Sequence, residues 1–393
     1  MTTVALVSHS TKPRGGLVHT LSLAEALHRR GFGVHLIALG DPSVGLFRPT
    51  EVPHTVLASP TKAGTTLTDR VFASIDTLAE GLSDLVGDFD IFHAQDCIAA
   101  RAAARVRDAG GAGSTGRIPL IRTVHHVDDF TTQALVDCQR LAIEEPDRVL
   151  VVSEQWRGIL RDDYGRTTEV VPNGVDPDRF PRPPDTECAA LRARIGAGAD
   201  TFVFLAVGGV EPRKGTVHSF RALSLLRRAG IKATLAVVGG HSFQDYTAYR
   251  DASLALLPQL DLTLGEDVVL LGTVSESELA GWYHAADALA FPSIKEGWGL
   301  AVLEAMSTGL PVIASDLPVF EEYLVDGQNA LLPTVGDEHA LAAAMRALID
   351  DAELRDRLRA GGSELLPRFS WDASAQRHED IYRDVRASVG SSR

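Results

Sequence analysis

Short apolar runs alternate with amphipathic stretches from one end of the chain to the other, the pattern that βαβ units around parallel sheets produce. In the first half, Val4–Val7, Val34–Leu39, Ile91–His93, Pro119–Val124 and Val149–Val152 predict strands. Val18, Leu21, Ala24 and Leu27 recur at helical spacing and predict a helix that stops at Gly31, in the position glycine favours after a helix. The second half restarts the theme. Phe202–Val207, Ala233–Val238, Val268–Leu271 and Ala288–Phe291 predict strands, and a helix is predicted from the loop after Val207 to Gly230. Leu300–Thr308 predicts a short helix closed by Gly309, Leu310–Ala314 a strand, and the chain after Ala340 reads as helical and charged. The expected fold class is α/β, with two doubly wound, Rossmann-like parallel-sheet domains of similar size, residues 1–180 and 181–370. The Phe180–Pro184 stretch, FPRPP, would interrupt either regular structure and marks the seam.

Composition narrows the function classes. At about 150 residues per domain, 393 residues suit two domains. Hydrophobic residues at 45% and charged ones at 23% exclude wholesale disorder. With 38 Lys+Arg against 52 Asp+Glu the net charge is −14, so nucleic acid and anionic membrane are poor partners. Arg101, Arg105 and Arg107 are too few to argue for membrane docking over a solvated helix face. Cys97, Cys138 and Cys188 lie too far apart for CxxC chemistry, and their odd, sparse count suits a reducing cytoplasm, the expected location. The opening MTTVALVSHS reads as a strand, and no run approaches the ~18 apolar residues of a membrane span. Gly110–Gly116 is the one low-complexity tract.

In open parallel sheets ligands bind at the carboxyl ends of the strands, so each loop that follows a strand is a place to look for chemistry. The His9–Gly16 loop ends in Gly15-Gly16 ahead of a helix, which suits an anion site or simply a tight turn. The Gly208–Gly215 loop, GGVEPRKG, offers Gly209 and the adjacent cations Arg213 and Lys214, a pairing suited to a diphosphate or to a solvated basic turn. In Pro292–Ala314, Glu296 falls in a loop and Glu304 one turn into the next helix, with Gly297 and Gly299 leaving amides open between them. Carboxylates of this kind hold vicinal sugar hydroxyls; the plainer alternative is a helix-surface Glu304 and a Glu296 that complements the helix dipole. His125, after the Pro119–Val124 strand, would reach the carboxyl edge of its sheet. His126, Asp128 and Asp129 point in diverging directions, which argues against a metal site. Asp88-Phe89-Asp90 has the look of a chelating DxD but precedes its strand, at the wrong end of the sheet. Asp96, just after that strand, is the more credible contact, and Cys97 reads as packing.

Taken in order, Gly15-Gly16, His125, Val171–Asp176 (VPNGVD), Arg213-Lys214-Gly215, Glu296-Gly297-Trp298-Gly299 and Glu304 make a specific combination. With them the chain resembles GT4-type retaining glycosyltransferases of the GT-B fold over almost its whole length. The opening HSTKPRGGLVHTLSLAEAL is similar to a branch of that family associated with nitrilase and radical-enzyme gene clusters. The resemblance implies two Rossmann-like domains facing each other across a cleft, with a last helix, 371–393, crossing back to the first. It also implies a nucleotide-sugar donor held mainly by the second domain and an acceptor, its identity open, held mainly by the first. Arg213, Lys214, the amides around Gly16 and those of Trp298 to Leu300 would bind the donor diphosphate. Glu304 would take the ribose hydroxyls, Glu296 the transferred sugar, and backbone near Gly272–Val274 the base. His125 would sit near the anomeric carbon or a sugar hydroxyl, with Asp96 and Asp128 as acceptor-side contacts. Trp298 stands where the family often has Phe, and Gln95 where it often has a second His.

No metal and no cofactor are expected, because two cations can neutralise a leaving diphosphate and the nucleotide-sugar is itself a substrate. Retention would arise by attack from the face the leaving group vacates, and no residue stands out as a covalent nucleophile. The competing readings are a GT-B epimerase or phosphorylase and a non-catalytic nucleotide-sugar-binding protein. A Rossmann dehydrogenase is set aside because its glycine fingerprint is missing.

Overall fold

A computed structural model describes residues 2–60, 66–109, 117–240 and 246–391; the Gly110–Gly116 tract lies outside them. The first half runs β1 (Thr3–Ser8), α1 (Gly15–Arg29), β2 (Gly33–Gly40), β3 (His54–Ala58), α2 (Leu67–Leu85), β4 (Ile91–Ala94) and α3 (Cys97–Ala109). It continues through β5 (Leu120–Val124), α4 (Gln133–Glu144), β6 (Arg148–Val151), α5 (Glu154–Tyr164) and β7 (Glu169–Val170). The second half runs α6 (Asp185–Arg194), β8 (Phe202–Val207), α7 (Thr216–Arg228), β9 (Ala233–Val238), α8 (Thr247–Leu254), β10 (Val268–Gly272) and α9 (Glu276–Ala285). Then follow β11 (Ala288–Phe291), α10 (Leu300–Ser307), β12 (Val312–Ala314), α11 (Pro318–Glu321), α12 (Glu338–Asp350), α13 (Ala352–Leu365) and α14 (Trp371–Ser391).

The strands form two sheets, ordered β3-β2-β1-β4-β5-β6-β7 and β10-β9-β8-β11-β12, with every pairing parallel. Each sheet belongs to its own unit: Met1–Gly174 with Trp371–Arg393, and Val175–Ser370. Val175–Phe180 joins the second unit because Val175 N donates to Phe369 O (3.1 Å), Val175 bridges Ser370, and Phe180 packs edge-on against Tyr283. In the first unit, Val4–Val7 of β1 and Leu21, Leu23 and Leu27 of α1 are fully buried. In the second, Phe204, Phe220, Leu223 and Leu235 pack with Leu341, Met345 and Leu348 of α12.

Local chemistry explains most boundaries. Thr66 and Asp69 form a reciprocal capping box that starts α2, Ser153 caps α5, and Gly165 at φ 61° ends it. Strand β12 begins only at Val312 because Pro311 has no N–H; its carbonyl still accepts from Leu289 N at 2.8 Å. The face of α1 departs from the expected stripe. Val18 is only half-buried and Leu17 fills the inner position, while His19 and Thr20 are buried as well, since α1 is covered by the sheet on one side and α14 on the other. β3 and β7 carry no clear apolar run in the sequence: β3 is a partly exposed edge strand and β7 spans two residues. Asp90 lies at the amino end of the first sheet, where its carboxylate accepts from Thr3 N at 2.9 Å and pairs with Arg386.

Candidate functional site

The carboxyl edge of the second sheet gathers the charged motif residues. After β8 the chain turns on Gly208 and Gly209, and Pro212–Lys214 forms one 3-10 turn. Gly215 then starts α7 at φ 63°, where a Cβ would stand 1.9 Å from the Pro292 carbonyl oxygen. Glycine is needed there on both counts. That close approach locks the turn to the loop after β11, and Ile294 N completes the lock by donating to Arg213 O at 2.8 Å. Glu296 is thereby brought to the cations: its Oε1 lies 2.6 Å from Lys214 Nζ and 3.3 Å from Arg213 Nη1, and accepts from Ser293 Oγ at 2.9 Å. Glu211 pairs with the Arg213 Nε at 3.5 Å, so two cations face two carboxylates. Lys214 also sits over the Phe291 ring, 4.4 Å from its centroid.

Burial lowers the Lys214 ammonium from its ordinary value despite Glu296. Burial alone would raise Glu296, but Lys214 and Arg213 outweigh it and hold the carboxyl below its ordinary value. Glu296 is therefore ionised at neutral pH, held by Lys214, Arg213 and Ser293.

Trp298 is buried, stacked on Tyr323 at 4.9 Å, and its carbonyl accepts from the Tyr323 hydroxyl at 2.7 Å. Gly299 follows at φ 94° and leads into α10, a backbone only glycine tolerates well. This clamp sets the main chain of Gly297–Leu300. Glu304 on α10 stays half-buried and receives a 2.7 Å hydrogen bond from the buried Tyr283 hydroxyl of α9. Burial, and then the charge of Glu304, push that phenol well above its ordinary value, so it remains a donor. Val274 is half-exposed just beyond β10 and lines a cavity with Arg194, Thr273 and Glu278.

The carboxyl edge of the first sheet holds the other motif residues. Gly15 and Gly16 open α1, and a Cβ on Gly16 would lie 3.9 Å from Cδ2 of His125. His125 is half-buried; its Nε2 is 3.3 Å from Gln95 Oε1, and its ring meets the His19 ring edge-on at 4.5 Å. Burial pushes His125 down to about 3, with His126 adding to it and Asp96 opposing it. Asp96, expected as an acceptor contact, uses its carboxylate locally. Oδ1 caps α3 through Ala99 N at 2.8 Å, and Oδ2 takes the His9 N at 2.9 Å and lies 3.0 Å from His9 Nδ1. Asp128 is 3.5 Å from His126 Nε2, and the side chain of Gln139 bonds its main chain in both directions.

Behind His125 lies a set of buried imidazoles that the motif reading did not reach. His19 Nδ1 bonds Asn173 Oδ1 of the VPNGVD motif at 2.8 Å. His93 lies between Tyr382 (2.7 Å) and Thr123 (2.8 Å), and His378 Nδ1 donates to Ser374 O at 2.7 Å. Tyr283, Tyr323 and Glu211 were missed as well. The signal of the two tyrosines is three-dimensional, since each holds a motif residue 21 or 25 positions away, whereas Glu211 stands two residues from the Arg213 it pairs with. Arg101, Arg105 and Arg107 pair with Glu145, Asp76, Asp108 and Asp147, a carboxylate-neutralised helix face. Among the described residues no group of three or more His, Cys, Asp or Glu could hold a metal ion, and no helix is long and apolar enough to cross a membrane.

Residues 13–179 match the family model described as Glycosyltransferase Family 4, and residues 189–364 match that of Glycosyl transferases group 1. A D-inositol 3-phosphate glycosyltransferase from Catenulispora acidiphila is 30% identical over 78% of this chain and 74% of its own. The chain belongs to the GT4 glycosyltransferases. Among other relatives, a phosphatidyl-myo-inositol mannosyltransferase from Mycobacterium leprae is 29% identical over 96% of this chain and 94% of its own. The GT4 chain also shares its fold with sucrose-phosphate synthase from Thermosynechococcus elongatus (TM-score 0.81, 21% identity, 99% and 100% of the two chains covered). Anabaena HepE, solved with UDP and glucose, gives a TM-score of 0.80 at 20% identity over 98% and 100%. The fold is GT-B, and the two parallel sheets described above are its two Rossmann-like halves.

Proposed function

We propose that this glycosyltransferase moves a sugar from a nucleotide-diphosphate-sugar to a hydroxyl acceptor, with retention of configuration and without a metal. The observation that supports it most is the cluster of Arg213, Lys214 and Glu296 at the carboxyl edge of the second sheet. Breaking a sugar–phosphate bond builds negative charge on the departing diphosphate and positive charge at the anomeric carbon. Arg213 and Lys214 are fixed before the reaction, so they stabilise the first charge with little reorganisation, worth ~3 kcal/mol for one such contact. Glu296, held ionised, suits the sugar and its developing positive charge. The amides of Gly297–Leu300 suit phosphate oxygens, and the Glu304 carboxylate, steadied by Tyr283, suits a ribose diol. In a front-face displacement the leaving phosphate takes the proton of the incoming hydroxyl, so no protein nucleophile is required. The names of the relatives make a polyol such as an inositol the first acceptor class to test.

A thermal-shift screen of UDP-, GDP- and ADP-sugars identifies the donor, since a ligand bound only by the folded state raises the melting point. Incubation of that donor, labelled, with polyol acceptors then gives a glycoside of unchanged anomeric configuration, at a rate EDTA leaves unaltered. Release of sugar 1-phosphate with added phosphate identifies a phosphorylase; an altered donor sugar without acceptor, an epimerase; donor binding without turnover, a binding protein. Loss of activity in EDTA that manganese restores would overturn metal-independent transfer.

A further inference from the structure

Gln95 follows β4, is only 2% exposed, and sits beside His125 at the end of the neighbouring strand β5. Its Oε1 is the hydrogen-bond partner of His125 Nε2, at 3.3 Å; its main-chain N–H is tied to Val7 O at 3.0 Å, which anchors the backbone there, and its own Nε2 is buried without a partner. Gly16 approaches the ring at Cδ2, the atom next to Nε2, so one edge of the imidazole is enclosed. Among the described residues no hydrogen bond reaches Nδ1, on the opposite edge.

We propose that Gln95 is a positioning residue that holds His125 as its Nε2–H tautomer, leaving Nδ1 as a hydrogen-bond acceptor for a substrate hydroxyl. This rests on the reading of His125 as part of the transfer site. The choice of residue matters because a carboxamide oxygen accepts a hydrogen bond without drawing charge onto the ring, whereas a carboxylate would favour imidazolium and a second imidazole could serve as donor or acceptor. The remaining surroundings agree with a neutral ring. His19 faces it from α1, Arg122 from its own strand, His126 from the loop, and His378 from α14, with Asp96 beyond β4 opposing them. Asp96 is itself engaged by His9 and the start of α3. Through Nδ1 His125 thus accepts a hydrogen bond from a hydroxyl, while its Nε2–H stays with Gln95.

The test uses the full-length protein labelled with 15N-histidine. Long-range 1H–15N spectra assign His125 among the 13 histidines by its absence in His125→Asn. The wild type is expected to show a neutral Nε2–H ring from about pH 8 down to about pH 5, as a group pushed to about 3 should. In Gln95→Leu the ring exchanges between tautomers. In Gln95→Glu it stays Nε2–H and its titration moves upward. With the nucleotide-sugar donor, Gln95→Leu loses about tenfold in kcat, one hydrogen bond's worth, with little change in KM. Gln95→Glu keeps near-wild-type kcat at high pH and gains a new acid limb. An Nδ1–H ring in the wild type, an unchanged tautomer in Gln95→Leu, or a Gln95→Glu variant as impaired at high pH as Gln95→Leu would each overturn the proposal. Should Gln95→Leu fail to fold, the wild-type and Gln95→Glu spectra decide alone. Expected spectra from a protein that turns over no nucleotide-sugar would uphold the tautomer and defeat the transferase reading instead.

Discussion

Two cations and two carboxylates meet at the turn after β8, Glu296 reaching it from the loop after β11, so an incoming diphosphate competes with Glu296 for Arg213 and Lys214. Two outcomes follow at the residue scale. Lys214→Ala lowers turnover by at least ~100-fold with the melting point little changed, because a preorganised charge is lost from the departing group. Glu296→Gln, by contrast, binds free nucleoside diphosphate several-fold more tightly, since one internal competitor is neutralised, yet transfers sugar more slowly; isothermal titration and steady-state kinetics read the two effects separately. Tyr283→Phe removes the hydrogen bond that orients Glu304, and donor KM rises by about fivefold, the worth of ~1 kcal/mol, with kcat nearly kept. Arg213, Lys214 and Glu296 were legible in the sequence because they stand beside glycines and prolines in loops that follow strands. Their supports were not. Tyr283 occupies an ordinary helical position and Gln95 stood out only where the family often has a second His; the folded chain brings them to Glu304 and His125.

Among the elements, the strands buried on both faces were the easiest to read. Phe202–Val207, Ala233–Val238 and Ala288–Phe291 form strands with those limits, since a continuous apolar run leaves little choice of register. Edge strands β3 and β7 escaped because half-exposed positions carry no such pattern. Helix α1 was legible in length but not in its buried face, which α14 widens from far along the chain. The tightest demand at this scale falls on the junction of the 3-10 turn and α7. Gly215→Ala meets both an unfavourable φ and a backbone oxygen 1.9 Å from the new Cβ. Gly230→Ala, at φ 78°, meets nothing within 4 Å. The first is expected to lower the melting point by clearly more than the second, whose cost is about 1 kcal/mol of backbone strain. Equal losses would mean that the contact between the Gly215 turn and Pro292 yields easily.

On the scale of the molecule, the acid response should divide the chain. His125 is pushed to about 3 and His378 to about 4, and His19 and His93 are driven well below their ordinary 6.5, in every case chiefly by burial. All four belong to the first unit. Each binds its proton more readily when unfolded than when folded, so stability rises with pH across this window and is complete above about 6.5. As pH falls from there toward 4, the first unit loses stability at up to ~1.4 kcal/mol per pH unit for each histidine. Circular dichroism melts at successive pH values should resolve an early acid-sensitive transition. His378→Gln flattens its slope; a single transition with the wild-type slope would remove the imidazole cluster from the acid response.

The first unit is built from two separated stretches of chain, interrupted at Gly174 and resumed at Trp371. A ribosome must therefore make the whole second unit before it delivers the helix that carries Trp371, His378 and Tyr382. Until then the earliest-made residues wait with His19 and His93 lacking those aromatic neighbours. The part synthesised second can mature first, and the amino-terminal half is finished only by a helix made after it.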